Sequence, residues 1–475
     1  MDFHVSLVGR RNLSVEIYRQ LRKAIIDGIL GSGDLLPPSR ELARRLNVSR
    51  TTVTVAYERL AGEGYVSSRV GAGTIVSFGA RASTGNRQRR KPAGVLRPRA
   101  VWDSVRVPGP FDRSPQFPFV TGTPDASLFP HQSWRRLVAR ELRSPRVSGG
   151  DYGDAAGHLG LREAIARHIA ISRGVEASPH DITVSNGTQQ ALDIMARVLL
   201  EPGDRVAVED PGYHPPSRLF RTLGAQVIGI PVDAEGLVVD ALPRNARFVY
   251  VTPSHQYPLG VTMSMPRRQA LLEWAERANA AIIEDDYDSE FRFGGRPIEP
   301  LYTLDTTGRV VYIGSFSKTM LPTLRLGFIV TPPSLSAAAQ KAKHVTDWHT
   351  NVPLQAALAR FIDDGDFARH VRKAGSVYRK RHEMILDILR RDFANLLEII
   401  PSAAGLHVTA TAKDCSAEDI AGVARRASDG GVAVHRLSQF GIDGPAQPGL
   451  VLGYAAIATG DIEEGLRRLR ACFDH

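Results

Sequence analysis

The stretch "IGSFSKTMLPTLRLGF", residues 313–328, decides how the rest of the chain is interpreted. It places Lys318 in a turn rich in glycine and serine at the end of an apolar run, and Arg325 follows seven residues later. A lysine in a turn is usually a surface residue, so this stretch alone does not establish a binding site. Its meaning depends on which residues lie at the other strand ends of the chain.

Short apolar runs alternate with amphipathic helical segments from about residue 115 onward. The runs "DITVSN", "RVAVED", "RFVYVTPSHQYPLG", "AIIEDDYDSEF" and "VVYIGSFSKTM" each end in a polar loop. This pattern predicts an α/β domain with a large, mostly parallel sheet, in which ligands bind at the carboxyl ends of the strands. The polar residues at those ends are Gly187, Thr188, Gln189, Tyr213, His255, Asp285, Tyr287, Ser315, Ser317 and Lys318.

These residue types suit one phosphorylated aromatic ligand. Backbone N–H groups at "SNGTQQ", the two serines and Arg325 suit a phosphate. An acid such as Asp285 would keep a buried ring nitrogen protonated, Tyr287 could donate to a phenolic oxygen, and the Lys318 amine could condense with an aldehyde. Together these groups describe pyridoxal 5'-phosphate (PLP). No Walker sequence is present, and no GxGxxG follows a strand, which argues against a nucleotide site.

Asp286 is the rival of Asp285 for the ring nitrogen. We favour Asp285, because on an alternating strand it points the same way as Tyr287.

The first 78 residues have a different pattern. "SVEIYRQLRKAIIDGI" predicts a helix capped by Ser14, with Ile17, Leu21, Ala24, Ile25 and Ile29 on its buried face. Two shorter helices follow, predicted to be capped by Ser39 and Ser49, and the short turn between them has helix-turn-helix spacing. "GYVSSRVGAGTIVS" then predicts a two-stranded wing with Gly71 and Gly73 at its tip.

Positive charge is concentrated in the same region. The whole chain has a formal net charge of +10. Residues 1–79 carry +4, residues 80–100 carry +7 with no acidic residue, and the remainder is close to neutral. A field of this sign suits a polyanion such as nucleic acid, although residues 80–100 also have the composition of a solvated linker.

Residues 14–78 resemble the GntR-type winged helix, through "LPPSRELA", "VSRTTVTVAY" and the "GAGT" wing. Thr54 stands where some members carry an additional arginine. The resemblance implies contacts with a double-stranded DNA operator from Arg40, Ser49, Arg50, Thr51, Thr52, Gly71 and Gly73.

Residues 115–475 resemble a fold-type I aminotransferase domain, and the whole chain resembles the MocR subfamily of GntR regulators. The strings "YGDAAGHLGLREAIARH", "SNGTQQALD", "EDPGY", "PSHQYPLG", "EDDYDSEFR", "SFSKTMLPTLRLGF" and "GLH" carry this resemblance. It implies a head-to-tail homodimer in which Lys318 forms the Schiff base with PLP. The implied cofactor contacts are Asp285 to the pyridine nitrogen, Tyr287 to the phenolic oxygen, Tyr213 on the ring, Tyr152 to the partner's phosphate, and Gly187, Thr188, Ser315, Ser317 and Arg325 to the phosphate.

Two departures from aminotransferases limit the implied activity. Tyr257 replaces the asparagine of Asn-Pro-x-Gly, and "PGLVLGYAAI" lacks the arginine that clamps a substrate carboxylate. Arg436 is a candidate substitute for that clamp. We therefore expect a regulator that senses PLP or an amino compound, in control of vitamin B6 or amino-compound metabolism. The alternatives are an active aminotransferase with a DNA-binding appendage and a degenerate domain kept for dimerisation.

The sequence thus predicts a winged-helix domain over 1–79, a basic linker over 80–114 and an aminotransferase-like domain, with a small C-terminal α/β subdomain, over 115–475. Two cysteines, Cys415 and Cys472, provide neither a disulfide framework nor a zinc site, and no metal is expected. No apolar run has the length of a membrane helix and no signal peptide is evident, so we expect a cytoplasmic protein.

Overall fold

The computed structural model describes residues 5, 7, 12–69, 73–77, 97–105, 115–145, 150–294 and 299–474 of the 475-residue chain. The chain divides into two compact units, Met1–Pro98 and Arg99–His475. Most of the predicted linker, together with Gly71, lies outside the described residues. Within the linker, residues 97–105 are described, and Ala100–Ser104 form a 3₁₀ turn.

The first unit packs three helices against a three-stranded antiparallel sheet. Its elements are α1 (Leu13–Ile26), β1 (Leu35–Leu36), α2 (Ser39–Leu46), α3 (Arg50–Gly62), β2 (Val66–Arg69) and β3 (Gly73–Val76). The strand order is β1-β3-β2. The predicted two-stranded wing, β2 and β3, is confirmed, and β1 pairs with β3 as a third strand that was not predicted. The apolar faces of α1 and α3 meet in one buried cluster, to which Ile17, Leu21, Val53 and Leu60 belong.

Helix capping in this unit follows the sequence prediction only in part. Ser49 is the N-cap of α3, and its hydroxyl accepts a hydrogen bond from the backbone N–H of Thr52 at 3.1 Å, as expected. Ser14 lies inside α1, whose N-cap is Asn12, and Ser39 is the first residue of α2 behind Pro38. Ile29 is 63% exposed because α1 ends at Ile26, and Leu30 is buried in its place.

The second unit contains a large sheet of eight strands. They are β5 (Ile182–Ser185), β6 (Arg205–Asp210), β7 (Gln226–Asp233), β8 (Gly236–Leu237), β9 (Ala246–Val251), β10 (Ala281–Asp286), β11 (Val310–Ser315) and β12 (Gly327–Val330). Their order is β5-β12-β11-β10-β9-β6-β7-β8. The five central strands β11, β10, β9, β6 and β7 are parallel, whereas β12 runs antiparallel to both of its neighbours.

A smaller sheet forms a second layer of this unit. It contains β4 (Phe117–Phe119), β13 (Leu397–Ile399), β14 (His407–Ala412), β15 (Val432–Arg436) and β16 (Gly449–Gly453), in the order β13-β14-β16-β15-β4. Residues 117–119 therefore complete a sheet whose other strands lie near the C-terminus, and β4 pairs parallel with β15. A buried apolar cluster joins this sheet to the helices behind it.

Helices cover both faces of the large sheet. They are α4 (His131–Glu141), α5 (Leu159–Arg173), α6 (Thr188–Leu199), α7 (His214–Thr222), α8 (Met265–Ala278), α9 (Leu301–Leu304), α10 (Pro333–Asp347) and α11 (Val352–Asp363); α12 (Asp366–Asp392), α13 (Ala417–Asp429) and α14 (Ile462–Ala471) follow. The neighbours Ile282 and Ile283 on β10 belong to different core clusters, one on each face. The predicted fold class is confirmed. Within the described residues, no helix has the length and apolarity required to span a bilayer.

Candidate functional site

A cavity of about 320 Å³ lies at the carboxyl ends of the parallel strands. The loops after five strands of the large sheet reach it, together with the segments that follow β4 and precede β14. Its lining residues are Thr121, Gly122, Thr188, Gln189, Tyr213, Tyr250, Thr252, Tyr257, Asp285, Tyr287, Asp288, Ser315, Ser317, Lys318, Pro322, Arg325, Leu406 and His407. The structure thus brings eight of the ten predicted cofactor residues into the wall of one cavity, and a ninth, Gly187, packs against it.

Lys318 lies in the turn after β11, with its amine inside the cavity. Its Nζ donates a hydrogen bond to the carbonyl oxygen of Gly122 at 2.8 Å. Burial lowers the pKa of Lys318 below its ordinary value, against the opposing charges of Asp288 and Asp285. A lowered pKa favours the neutral amine, which is the nucleophilic form.

Asp285 and Asp286 are both buried on β10, but they have different surroundings. Asp285 lines the cavity; its Oδ2 accepts from the Tyr250 hydroxyl at 2.8 Å, and its Oδ1 has no partner among the described residues. Burial raises the pKa of Asp285 to about 7. Asp286 accepts from Arg173 and from the Tyr312 hydroxyl, each at 2.7 Å. Asp286 is therefore already satisfied, whereas Asp285 offers an unpaired oxygen to a ligand.

The end of the cavity near α6 carries hydrogen-bond donors. Gly187 is the N-cap of α6, and Thr188 is the first residue of that helix. The Arg325 guanidinium lies across Gly187, where an added Cβ would come within 2.8 Å of its Nη2. Arg325 adopts left-handed backbone (φ 51°) and donates to the carbonyl oxygen of Asn186 at 2.8 Å. A helix N-terminus beside a guanidinium suits an anion such as a phosphate.

Tyr287 lies on a buried network that the sequence interpretation did not foresee. Its hydroxyl donates to the carbonyl oxygen of His255 at 2.9 Å. The Nδ1 of His255 contacts both carboxylate oxygens of Asp288, at 3.0 and 3.1 Å. A nitrogen of His255, an oxygen of Asp288 and a nitrogen of His407 all lie within 4.8 Å of one another. His255 was among the predicted strand-end residues, but nothing in the strings "PSHQYPLG" and "GLH" predicted its contact with Asp288 or the position of His407.

Tyr257 occupies the position at which aminotransferases carry the asparagine. Its hydroxyl is 2.7 Å from the hydroxyl of Thr121, and its ring packs edge-on against Tyr213. The aromatic ring of Tyr257, packed against that of Tyr213, therefore lies where aminotransferases have the asparagine amide. The stretch without the carboxylate-clamping arginine forms β16, and all five residues of this strand are buried.

Two predicted residues lie outside the cavity wall. Tyr152 is 76% exposed and contacts the ring of Trp348, with a centroid separation of 4.4 Å. Arg436 ends β15, and its backbone N–H donates to the side chain of Gln439 at 3.3 Å. Among the described residues, neither side chain reaches the cavity.

In the first unit, the predicted DNA-contacting residues lie at helix starts. Ser49, Arg50 and Thr51 are exposed at the start of α3, and Arg40 is exposed in the first turn of α2. In the described part of the chain, neither Arg40 nor Arg50 forms an ion pair. Both guanidinium groups are thus available to phosphates and base edges. Gly73, at the start of β3, has φ 85°, a backbone conformation that favours glycine.

Comparison with known proteins identifies both units. Residues 13–76 match the bacterial regulatory proteins of the gntR family, and residues 124–469 match aminotransferase class I and II. The probable rhizopine catabolism regulatory protein MocR of Rhizobium meliloti is 38% identical, over 96% of this chain and 93% of that protein. The chain belongs to the MocR subfamily of GntR regulators.

Two further similarities connect this MocR-subfamily chain to its cofactor. The pyridoxine biosynthesis regulator PdxR of Corynebacterium glutamicum is 32% identical, over 94% of this chain and 92% of that protein. The crystal structure of Pyrococcus horikoshii kynurenine aminotransferase, in complex with PMP, superposes with a TM-score of 0.70 at 29% identity, and covers 76% of this chain and 91% of that one.

As a MocR-subfamily member, the chain is a helix-turn-helix transcriptional regulator that binds DNA. The cofactor of its aminotransferase domain is PLP. The residues of the cavity fit this group, because Asp285 has a buried oxygen without a partner among the described residues, and Arg325, which packs on Gly187, lines the same cavity.

Proposed function

We propose that the aminotransferase-like domain is the sensor of this regulator, and that it binds PLP and an amino-compound effector in the one cavity. The observation that carries the proposal is that Lys318, the unpaired oxygen of Asp285 and the Arg325–Gly187 donor pair all border the same enclosed space. Each group alone has an ordinary structural explanation. Their convergence matches the aldehyde, the ring nitrogen and the phosphate of one molecule.

The residues of the cavity divide the task of holding this cofactor. When bound, PLP would supply an aldehyde carbon that reacts with primary amines. Lys318 would provide such an amine, and burial lowers its pKa, which favours the neutral form. Asp285 would hold a proton at the ring nitrogen, and Tyr213 would pack on the ring. Gly187, Thr188, Ser315, Ser317 and Arg325 would hold the phosphate.

Tyr287, which lines the cavity, is proposed to contact the phenolic oxygen of the cofactor. Its hydroxyl hydrogen bonds with His255, which in turn contacts Asp288. The position of the hydroxyl is therefore determined by buried groups and not by solvent.

A second copy of the chain is proposed to complete the site. Tyr152 and Trp348 form an exposed aromatic pair, and the ring of His344 stacks on Trp348 with a centroid separation of 5.3 Å. Trp348 also has φ 64°, which is rare outside glycine. Exposed clustered aromatic rings are typical of the core of a protein interface. In a head-to-tail homodimer, Tyr152 would reach the phosphate held by the partner subunit.

DNA recognition belongs to the first unit. The exposed start of α3, with Ser49, Arg50, Thr51 and Thr52, is proposed to enter the major groove of an operator, while Arg40 and the wing contact the backbone. A regulator that binds chromosomal DNA works in the cytoplasm of a bacterium.

Effector binding must favour one arrangement of the dimer if it is to change transcription. A ligand with equal affinity for both arrangements shifts no equilibrium, however tightly it binds. The test is operator affinity of the full-length protein, measured without PLP, with PLP, and with PLP plus candidate amines. We expect at least one addition to change affinity about tenfold, which corresponds to a typical coupling free energy. Equal affinity under all conditions would contradict the sensor.

The second candidate function is an active aminotransferase with a DNA-binding appendage. The full set of cofactor residues favours it, whereas Tyr257 in place of the asparagine and the lack of an arginine in β16 argue against efficient turnover. Multiple turnovers of an amino donor at about 1 per second or faster would support the enzyme. A domain kept only for dimerisation would show no visible absorbance from bound PLP.

A further inference from the structure

The cavity wall extends beyond the residues assigned to PLP. The remaining lining residues near Lys318 are Thr121, Gly122, Tyr257, Asp288, Leu406 and His407. The only cationic side chains in the described lining are Lys318 and Arg325, and both are assigned to the cofactor. This part of the wall, which we call the effector wall, therefore offers no positive charge to a carboxylate.

The polar groups of the effector wall are mainly acceptors. Asp288 is 2% exposed and can only accept hydrogen bonds while it is ionised. The Nε2 of His407 lies 2.9 Å from the carbonyl oxygen of Pro258, and a carbonyl cannot donate. The proton of His407 is therefore on Nε2. Burial, together with the neighbouring His255, lowers the pKa of His407 well below its ordinary value, so the ring is neutral and Nδ1 is an acceptor.

His255 is the hydrogen-bond partner of Asp288. Its Nδ1 lies 3.0 and 3.1 Å from the two carboxylate oxygens of Asp288, while its Nε2 is buried without a partner among the described residues. Each carboxylate oxygen has more than one lone pair, so Asp288 can accept a further hydrogen bond from a ligand.

The donors of the effector wall already have partners. The hydroxyls of Thr121 and Tyr257 lie 2.7 Å apart and share one hydrogen bond. The neighbouring Tyr287, assigned to the cofactor, donates its hydroxyl proton to the carbonyl oxygen of His255. The carbonyl oxygen of Gly122 accepts from Lys318, and it becomes a further acceptor when that amine moves to the cofactor.

From this wall we infer that the effector is an amine with a second hydrogen-bond donor, such as an ammonium group, at its far end and no carboxylate there. The inference rests on the proposed sensor function and specifies the ligand of the same site. One amine of the effector would form the C=N bond to the aldehyde carbon of PLP while the C=N bond to Lys318 breaks, and Lys318 would leave as a free primary amine. The second amine donates to Asp288. A carboxylate at that end would face a like charge without a compensating cation, which disfavours its binding.

The test is an absorbance titration of the PLP-loaded, full-length protein with three amines of equal chain length. They are cadaverine, which ends in an ammonium group; δ-aminovalerate, which ends in a carboxylate; and pentylamine, which ends in a methyl group. EDTA in every titration keeps metal ions away from the His255–Asp288–His407 cluster. We expect cadaverine to reach half-saturation at a concentration about tenfold or more below that of δ-aminovalerate, with pentylamine between them.

Asp288→Asn tests the origin of this preference, because it removes the charge and keeps the shape. We expect the advantage of cadaverine over δ-aminovalerate to fall to about threefold or less. Asp240→Asn is the matched control, since Asp240 is exposed and lies outside the cavity lining. That variant should retain the wild-type ratio.

Half-saturation by δ-aminovalerate at an equal or lower concentration than cadaverine would overturn the inference, with or without a folded Asp288 variant. An unchanged ratio in Asp288→Asn would overturn the role of Asp288. Both outcomes presuppose a visible band from bound PLP. Its absence in the wild-type protein would instead contradict the proposed sensor function, and the inference would fail with it.

Discussion

The two units of the chain build their binding surfaces in opposite ways. In the first unit, the start of α3 presents Ser49, Arg50, Thr51 and Thr52 as consecutive residues, and most of them are exposed. In the second unit, the cavity wall collects side chains from positions 121 to 407, and several of them are fully buried. A DNA site requires charge that solvent and phosphates can reach, whereas a cofactor site requires groups held in place away from water.

We therefore expect mutations to affect the two functions separately. Residues 1–100 carry all of the excess positive charge, and the rest of the chain is close to neutral. A change in the cavity should therefore leave the intrinsic affinity for DNA intact, and a change at α3 should leave the cofactor in place.

Lys318→Ala should abolish the visible absorbance of bound PLP and leave DNA binding in place. The only amine in the described cavity wall is then lost, while α3 is unchanged. Absorbance spectroscopy and a gel-shift assay on the same preparation measure the two effects. An unchanged visible band would contradict the assignment of Lys318 as the residue that binds PLP covalently. A complete loss of DNA binding would contradict the separation of the two units.

Asp286→Ala should destabilise the second unit by about 3–5 kcal/mol, because it leaves the buried Arg173 without its counter-ion. Asp285→Ala is the matched control on the same strand. It removes one hydrogen bond from Tyr250 and should cost only about 1–3 kcal/mol, while weakening PLP binding. Thermal unfolding of the cofactor-free proteins measures which of the two variants loses more stability. A larger loss in Asp285→Ala would show that the two acids have exchanged roles.

Arg50→Ala should weaken operator binding by about 1–3 kcal/mol and reduce its salt dependence. Arg50 is exposed and has no ion pair in the described part of the chain, so its charge is free for DNA. Arg19→Ala removes the same charge from α1, where Arg19 pairs with Glu16 at 2.8 Å, and should have the smaller effect. Fluorescence anisotropy at several salt concentrations measures both variants. A change in the PLP band of Arg50→Ala would show coupling that the separation excludes.

The cofactor-free protein should lose stability as the pH rises toward about 7. Burial raises the pKa values of Asp285 and Glu209 to about 7. Since the ordinary values are lower, the folded state binds protons that the unfolded state has released, and this contribution is lost as pH passes through about 7. The difference in thermal midpoint between about pH 6 and about pH 8 should shrink in Asp285→Asn and persist in Asp240→Asn.

Much of the architecture could be predicted because it depends on local pattern. Alternation of apolar runs and helical segments indicated the parallel sheet, and the polar strand ends identified Lys318, Asp285 and Arg325 as neighbours. The cap at Ser49 followed from the residue type. Ser14 and Ser39 were wrong as caps because Asn12 and Pro38 precede them, and the identity of a serine does not decide where a helix begins.

Other features depend on contacts between residues distant in the sequence. β1 is only two residues long and exists because it pairs with β3. β4 (Phe117–Phe119) pairs with β15, a strand from the far C-terminal part of the chain. The His255–Asp288 pair requires Gly405, where an added Cβ would come within 1.8 Å of the histidine ring. The periodic pattern of apolar and polar residues does not reveal such a close contact. The effector wall was therefore not predicted from the sequence.

The position of Arg325 has a consequence for how the domain reports on its cofactor. Its guanidinium lies across Gly187 and donates a hydrogen bond to the carbonyl oxygen of Asn186, so contacts within the protein fix the position of this donor. Little binding free energy is then lost in ordering these donors. Occupancy of the site should rise smoothly with the free PLP concentration, without a folding threshold. The occupancy of the domain would then follow the free PLP concentration continuously.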